Sequence, residues 1–172
     1  MDLKIFRAIN LLSGRSLLLD KFMILISNRI RYVYIAIMLI MWFKKRNYKK
    51  MTIEAVITIL ITLIIHFLIK IFYFKPRPFL KRRVGILIPS KKDSSFPSKH
   101  TLFAFAVSTT IFYYKRTLGT IMSVLSLLTG VSRIWIGHHY PSDIAGSAIL
   151  GSFISMLIHK ISSLMKKTNE VS

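Results

Sequence analysis

The sequence predicts an all-α fold, a polytopic transmembrane helix bundle of roughly five to six spans with an N-terminal interfacial or re-entrant helix. Three observations lead there. Hydrophobic residues make up 53% of the 172, and they fall in long runs. About 20 apolar residues cross a bilayer as a helix, so this length holds a handful of spans and little else. The charge is lopsided, 26 Lys+Arg against 6 Asp+Glu for a formal net +20. Such basicity points to nucleic acid or to an anionic membrane surface. Its placement between apolar runs favours the membrane and argues against nucleic acid. Cysteine is absent, which excludes disulfides, thiolate metal sites and a Cys nucleophile. Residues 1–20 lack an apolar core followed by a small-residue cleavage site, so the spans themselves are expected to direct insertion.

The elements follow in order. Leu3 to Leu12 sets Leu3, Ile5, Phe6, Ile9 and Leu12 among Lys4, Arg7 and Asn10, the pattern of an amphipathic helix lying at the interface and ending near Gly14. Leu17 to Ser27 is apolar but contains Asp20 and Lys21. Its length gives only about 16 Å of helix, so it reads as a re-entrant or short tilted segment. After the polar break Asn28-Arg29-Ile30-Arg31, a first span is expected over 32–43, with its flanking cations snorkelling to water. A second is expected over 51–74. A polar, proline-containing loop occupies 75–97, and further spans cover 98–114, 117–136 and 141–164. Ala145, Gly146, Ser147, Ala148 and Gly151 form a small-residue patch on the last span, as close helix packing requires.

Lys44, Lys45, Arg46, Lys49, Lys50, Lys115, Arg116, Lys160, Lys166 and Lys167 all fall on one side of this arrangement. The positive-inside rule makes that side cytoplasmic. The opposite side carries Lys75, Arg77, Lys81, Arg82, Arg83, Lys91 and Lys92, against the rule. An anionic ligand on the outer side would account for the violation.

Three clusters lie at the outer ends of the spans. The first is Lys70 with Arg77-Pro78, the second Pro97-Ser98-Lys99-His100, the third Ser132-Arg133 with His139 and Asp143. Pro141 suits a first helical turn, which puts His139 just ahead of the helix and Asp143 inside it. The carboxylate could then reach one imidazole nitrogen, fix the tautomer and leave the other nitrogen nucleophilic. In isolation such a spacing more often means an acid complementing the helix dipole. Ser98 is a plausible N-cap, and the first-turn N–H groups behind it can bind phosphate oxygens. His100 is placed to protonate a departing oxygen, although Pro-Ser-x-His alone is usually an ordinary helix start. Lys70 lies near a span end, where lysines commonly snorkel, and Arg77 is held extended between two prolines. Arg133 sits in an apolar helix where a guanidinium is costly without an anion.

Taken together and in this order, Lys70-x6-Arg77-Pro78, Pro97-Ser98-Lys99-His100 and Ser132-Arg133-x5-His139-x3-Asp143 resemble the three-part signature of the type 2 phosphatidic-acid phosphatase superfamily. The resemblance covers residues 51–165. More narrowly, the chain's size, YFKPRPF and LLTGVSRIWIGHHYPSDIAGS look like the bacterial bacitracin-resistance type of undecaprenyl-diphosphatase. The resemblance implies that His139 attacks phosphorus to form a phosphohistidine, with Asp143 orienting it. It implies that His100 protonates the leaving group and then activates water, while Lys70, Arg77, Arg133 and Ser98 hold the non-bridging oxygens. Neutralising those oxygens in a partly dry site would supply most of the rate enhancement. No cofactor is implied. Lys99 stands where the family often has Gly, and is either an added cation suited to a diphosphate or a side chain turned to water.

The regions expected are N-terminal interfacial and short helices (1–31), a transmembrane phosphatase domain with its outer loop (32–167), and a polar tail (168–172). The expected setting is the bacterial plasma membrane, with the site facing outward. His66 is read as a packed, hydrogen-bonded residue, with a proton relay as its alternative role, His159 as structural, and His138 as a neighbour of the nucleophile. A metal site of His100, His139 and Asp143 is the rival reading of the same residues. The leading function is undecaprenyl-diphosphate hydrolysis recycling the wall-lipid carrier, with membrane lipids as surroundings. A glycerolipid phosphate is the nearest alternative substrate. A transporter or anion channel and a lipid-binding scaffold are the alternatives of another class.

Overall fold

A computed structural model describes residues 2–44, 46–81 and 84–171. Lys45, Arg82 and Arg83 of the basic clusters, and Ser172 of the tail, lie outside the described residues. Among the described residues there are seven helices and no strand: α1 Asp2–Asn10, α2 Leu17–Lys44, α3 Arg46–Phe72, α4 Pro78–Lys81, α5 Lys99–Tyr114, α6 Arg116–Trp135 and α7 Pro141–Val171. Stretches within α2, α3, α6 and α7 are long and apolar enough to cross a membrane. At 16 residues, α5 reaches about 24 Å. It is the central helix, packed against α3, α6 and α7, while α2 closes the bundle against α6 and α3.

The N-terminal third differs from the expectation. The polar stretch 28–31 does not break the chain; α2 runs unbroken for 28 residues, so the boundary drawn at residue 31 falls inside a helix. One or two polar side chains do not end a helix whose backbone bonds continue beneath them, and Asn28 and Arg31 find a polar cavity to face. Asp20 is not a lipid-facing charge either: it accepts from the Gly14 N–H at 2.9 Å and from Trp135 Nε1 at 2.8 Å. At the other end, α7 continues through the expected tail to Val171.

Two kinds of packing hold the bundle together. Ile30, Tyr34, Met38, Met41, Met51, Ala55, Ala104, Val107, Ile111 and Met122 form one buried cluster. In lipid, however, apolar burial alone does not favour helix association, and close approach and internal hydrogen bonds carry more of the weight. Both are present. A Cβ on Gly151 would lie 2.6 Å from the Leu102 carbonyl oxygen, so the small-residue patch does seat α7 against α5. Tyr34 Oη donates to the Met122 carbonyl at 2.6 Å, and Thr110 and Ser155 hydroxyls meet at 2.8 Å. Outward, α2, α3 and α7 expose Leu39, Phe43, Ile64, Phe67, Ile149 and Phe153, an apolar surface suited to acyl chains rather than water.

Helix α1 does more than float at the interface. Phe6 is fully buried against Tyr140, and Asn10, expected on a polar face, is buried. Its amide donates to the carbonyls of Gly85 and Trp135, both at 3.0 Å. Thus α1 braces the 75–97 loop and the α6–α7 turn. That turn needs Gly137, whose φ is +83° and whose added Cβ would lie 2.4 Å from the Gly85 carbonyl oxygen.

Candidate active site

The middle of α2, the ends of α3, α5 and α6, the 75–97 loop and the α6–α7 turn enclose a polar cavity of about 560 Å³. Lys70, Arg77, Lys99, His100, Arg133 and His139 all line it. Three clusters far apart in sequence are therefore brought to one chamber, and both histidines face it. Ser98 and Asp143 do not line it.

Arg77 sits in the irregular segment between α3 and α4, with its side chain on the cavity wall. It is only 6% exposed. Its Nη1 donates to the His138 carbonyl at 3.2 Å and lies 3.4 Å from His139 Nε2. Arg133, also 6% exposed, donates from Nη1 to Ser27 Oγ at 2.7 Å. Its Nε–H is buried without a protein acceptor, and among the described residues no carboxylate lies within 4.0 Å of it. The anion expected to pair with Arg133 is not supplied by any of the described residues.

His139 is held differently from the expectation. Its Nδ1 lies 2.7 Å from the Ser95 carbonyl oxygen, whereas the nearer Asp143 oxygen is 3.8 Å away. A carbonyl only accepts, so Nδ1 carries the proton and Nε2 keeps its lone pair on the cavity side. Asp143, fully buried, instead accepts from Lys75 Nζ at 2.6 Å and from the Tyr140 N–H at 2.9 Å. It also accepts a short bond from Ser95 Oγ. Its hold on the imidazole runs through Ser95, which bonds the acid with its hydroxyl and the histidine with its carbonyl. Burial pushes His139 well below the ordinary histidine value, with Arg133 and Arg77 acting in the same direction against the Ser95 bond. His139 is thus neutral, with an unprotonated Nε2. His138 is lowered to about 4, first by burial and then by Arg133, and its Nε2 bonds the Ile88 carbonyl at 2.9 Å.

Ser98 is also corrected. It precedes α5 but makes no side-chain cap bond. Its hydroxyl accepts from Thr101, and its N–H donates to Ser147 Oγ at 2.8 Å, so neither faces the cavity. The first-turn N–H groups of Lys99 and His100 remain without intrahelical acceptors, as at any helix start. Ser98 ties the start of α5 to α7 and so fixes where His100 points. Among the described residues no three His, Cys, Asp or Glu side chains converge as a metal would need; His100, His139 and Asp143 do not form the rival metal site.

Several contributors were missed. Asn28 and Arg31 line the cavity from what looked like a helix break. His66 lines it too, and its Nδ1 is buried with no partner among the described residues, against the packed, hydrogen-bonded reading. Its spacing of four from Lys70 on α3 was the available signal, since i and i+4 share a helix face. Lys75, Ser95 and Asp93 carried no such signal, because the contacts that give them meaning are long-range. His159, read as structural, meets Glu54 at 2.8 Å and stacks on Tyr113 at the far end of the bundle.

With this geometry in hand, comparison with known proteins agrees. Residues 51–166 match the family model of the PAP2 superfamily. The chain is 40% identical over 167 residues to undecaprenyl-diphosphatase BcrC of Bacillus subtilis, covering 96% of this chain and 86% of that protein. The crystal structure of Aquifex aeolicus LpxE superposes with a TM-score of 0.79 at 27% identity, covering 92% of this chain and 94% of that one. The crystal structure of the transmembrane PAP2-type phosphatidylglycerolphosphate phosphatase from Bacillus subtilis gives 0.75 at 21% identity, covering 94% and 84%, a likeness of fold alone. This chain is a membrane lipid phosphatase. It belongs to the PAP2 superfamily.

Proposed function

We propose that the protein hydrolyses the terminal phosphate of undecaprenyl diphosphate on the outer face of the bacterial plasma membrane, through a phosphohistidine. One observation carries the chemistry: His139 Nε2, unprotonated, faces a chamber that it shares with His100 and buried cations. The substrate is supported by the undecaprenyl-diphosphatase of Bacillus subtilis at 40% identity, and the orientation by the basic residues at the far end of the bundle.

In the first step the Nε2 lone pair bonds to the terminal phosphorus and the bond to the bridging oxygen breaks. His100 gives its proton to that oxygen, which leaves as the lipid monophosphate. In the second step His100 takes a proton from water, the hydroxide attacks the phosphohistidine, and inorganic phosphate departs with His139 restored. Arg77, Arg133 and Lys70 hold the equatorial oxygens, where charge is greatest in the transition state. Asp143 and Ser98 act from behind, through Ser95 and through the start of α5. The apolar chain stays among the helices and lipid. A separate apolar groove of about 580 Å³ lies between α2, α3 and α5, lined by Ile35, Leu39, Val56 and Phe103.

The test is phosphate release by purified protein in detergent from a prenyl diphosphate, a prenyl monophosphate, phosphatidate and phosphatidylglycerophosphate. Prenyl diphosphate is expected to give the highest kcat/KM. Faster turnover of either glycerolipid would overturn the assignment of substrate while leaving the chemistry standing.

A further inference from the structure

The cavity is lined by cations and one acid. Among the described residues Asp93 is the single carboxylate on its wall. It engages the two cations of the first cluster: Lys70 Nζ at 2.7 Å on Oδ2, and Arg77 Nε and Nη2 at 3.0 and 2.8 Å on Oδ1. At first sight a negative charge here opposes an anionic substrate. Donor counting resolves the conflict. Lys70 has three N–H donors and Arg77 five. Asp93 takes one from Lys70 and the outer edge of Arg77, and the His138 carbonyl takes one more. Lys70 keeps two donors for phosphate oxygens and Arg77 keeps one on Nη2, while the second Nη1 hydrogen is donated to His139 Nε2 at 3.4 Å until a phosphoryl group takes its place.

The backbone beneath Asp93 is pinned. Arg77 Nε reaches the Asp93 carbonyl at 3.3 Å, the Ser95 N–H donates to the Lys75 carbonyl at 2.7 Å, and the Lys75 N–H donates to Ser94 Oγ at 3.1 Å. Burial would raise the Asp93 pKa, but hydrogen bonds from Lys70 and Arg77 outweigh it and bring it below the ordinary aspartate value. The acid is therefore ionised and tied to both cations. The buried Arg77 and Arg133 repel each other, and among the described residues no other carboxylate on the wall balances them.

We infer that Asp93 is a positioning residue: a fixed counter-ion that clamps the outer edge of Arg77 and the tip of Lys70 so that their remaining donors face the phosphorus at His139. This rests on the reading of His139 as the site of attack. It differs from a plug, which would leave when substrate arrives.

The test uses the full-length protein with a prenyl diphosphate and measures kcat, KM and the thermal midpoint of Asp93→Asn, Asp93→Glu, Arg77→Gln and the Asp93→Asn/Arg77→Gln double variant. A misaimed donor costs about 10- to 100-fold in rate. Asp93→Asn is expected to lose about that in kcat with KM moved less than about threefold, and Asp93→Glu to recover part of it. In the Arg77→Gln background the further loss should shrink to less than about threefold, because the clamp then has little to aim. An equal loss in both backgrounds would mean a merely structural role and overturn the inference. A raised kcat/KM in Asp93→Asn would mean a displaceable plug and overturn it too. Should Asp93→Asn lose its cooperative melt, the Asp93→Glu pair of backgrounds carries the same comparison. If the unaltered protein released no phosphate from any phosphorylated lipid, the proposed chemistry itself would fail, which is a separate outcome.

Discussion

Replacing Arg133 by Met separates function from folding more cleanly than any other change at this site. The guanidinium is 6% exposed, and among the described residues it bonds only Ser27, through Nη1, and buries an Nε–H without an acceptor. A desolvated cation that lacks a carboxylate partner is a net cost to the fold, and methionine of similar length fills the same space without it. Ser27 Oγ loses a donor, but a helical serine can turn its hydroxyl to its own preceding turn. Arg133→Met should therefore melt at the same temperature as the unaltered protein or higher, by on the order of 1 kcal/mol. Activity should move the other way. A unit charge about 5 Å from a phosphoryl oxygen contributes roughly 3 kcal/mol at an effective dielectric of 20, which is a factor of about 100 to 200 in rate. Removing one preorganised donor from a transition state costs about 100- to 1,000-fold, so the two routes agree. Phosphate release and thermal unfolding measured on one detergent preparation test both halves. A variant that melts well below the unaltered protein, or keeps activity within tenfold of it, would refute the argument that Arg133 is held for an anion supplied from outside.

Further outcomes follow from the same geometry. His139→Ala should lower kcat/KM by roughly 10,000-fold or more and abolish acid-labile phosphate on the protein after rapid quench, with His100→Ala nearly as severe. Lys75→Met leaves the fully buried Asp143 without its cation. With the lysine itself partly exposed, a loss of about 2 kcal/mol is expected in a denaturation series. His138 and His139 are held below the ordinary histidine value, so the unfolded chain takes up protons that the folded one refuses. Stability should be full above pH 6.5 and fall as pH drops from there towards about 4. Thermal midpoints at pH 7.5 and 5 should show this decline, and His138→Asn should flatten it.

The all-helical membrane architecture and most of the chemical cast were legible in the chain's local patterns. Apolar run length fixes helices in a membrane, because the bilayer leaves the backbone no other way to pair its polar groups. Lys70, Arg77, Lys99, His100, Arg133 and His139 stood out as polar residues that apolar helix ends would not otherwise hold. Local pattern failed where a side chain's meaning depends on a distant partner. Asn28 and Arg31 look like a helix break until the cavity they face is known, and Asn10 looks like a surface amide until its two carbonyls are found 75 and 125 residues away. Only tertiary structure decided that Ser95 rather than Asp143 touches His139, that Asp143 answers to Lys75, and that Asp93 clamps the cations. The reason is physical. A hydrogen bond depends on tenths of an ångström set by packing of the whole bundle, whereas a hydrophobic period is written into each segment alone.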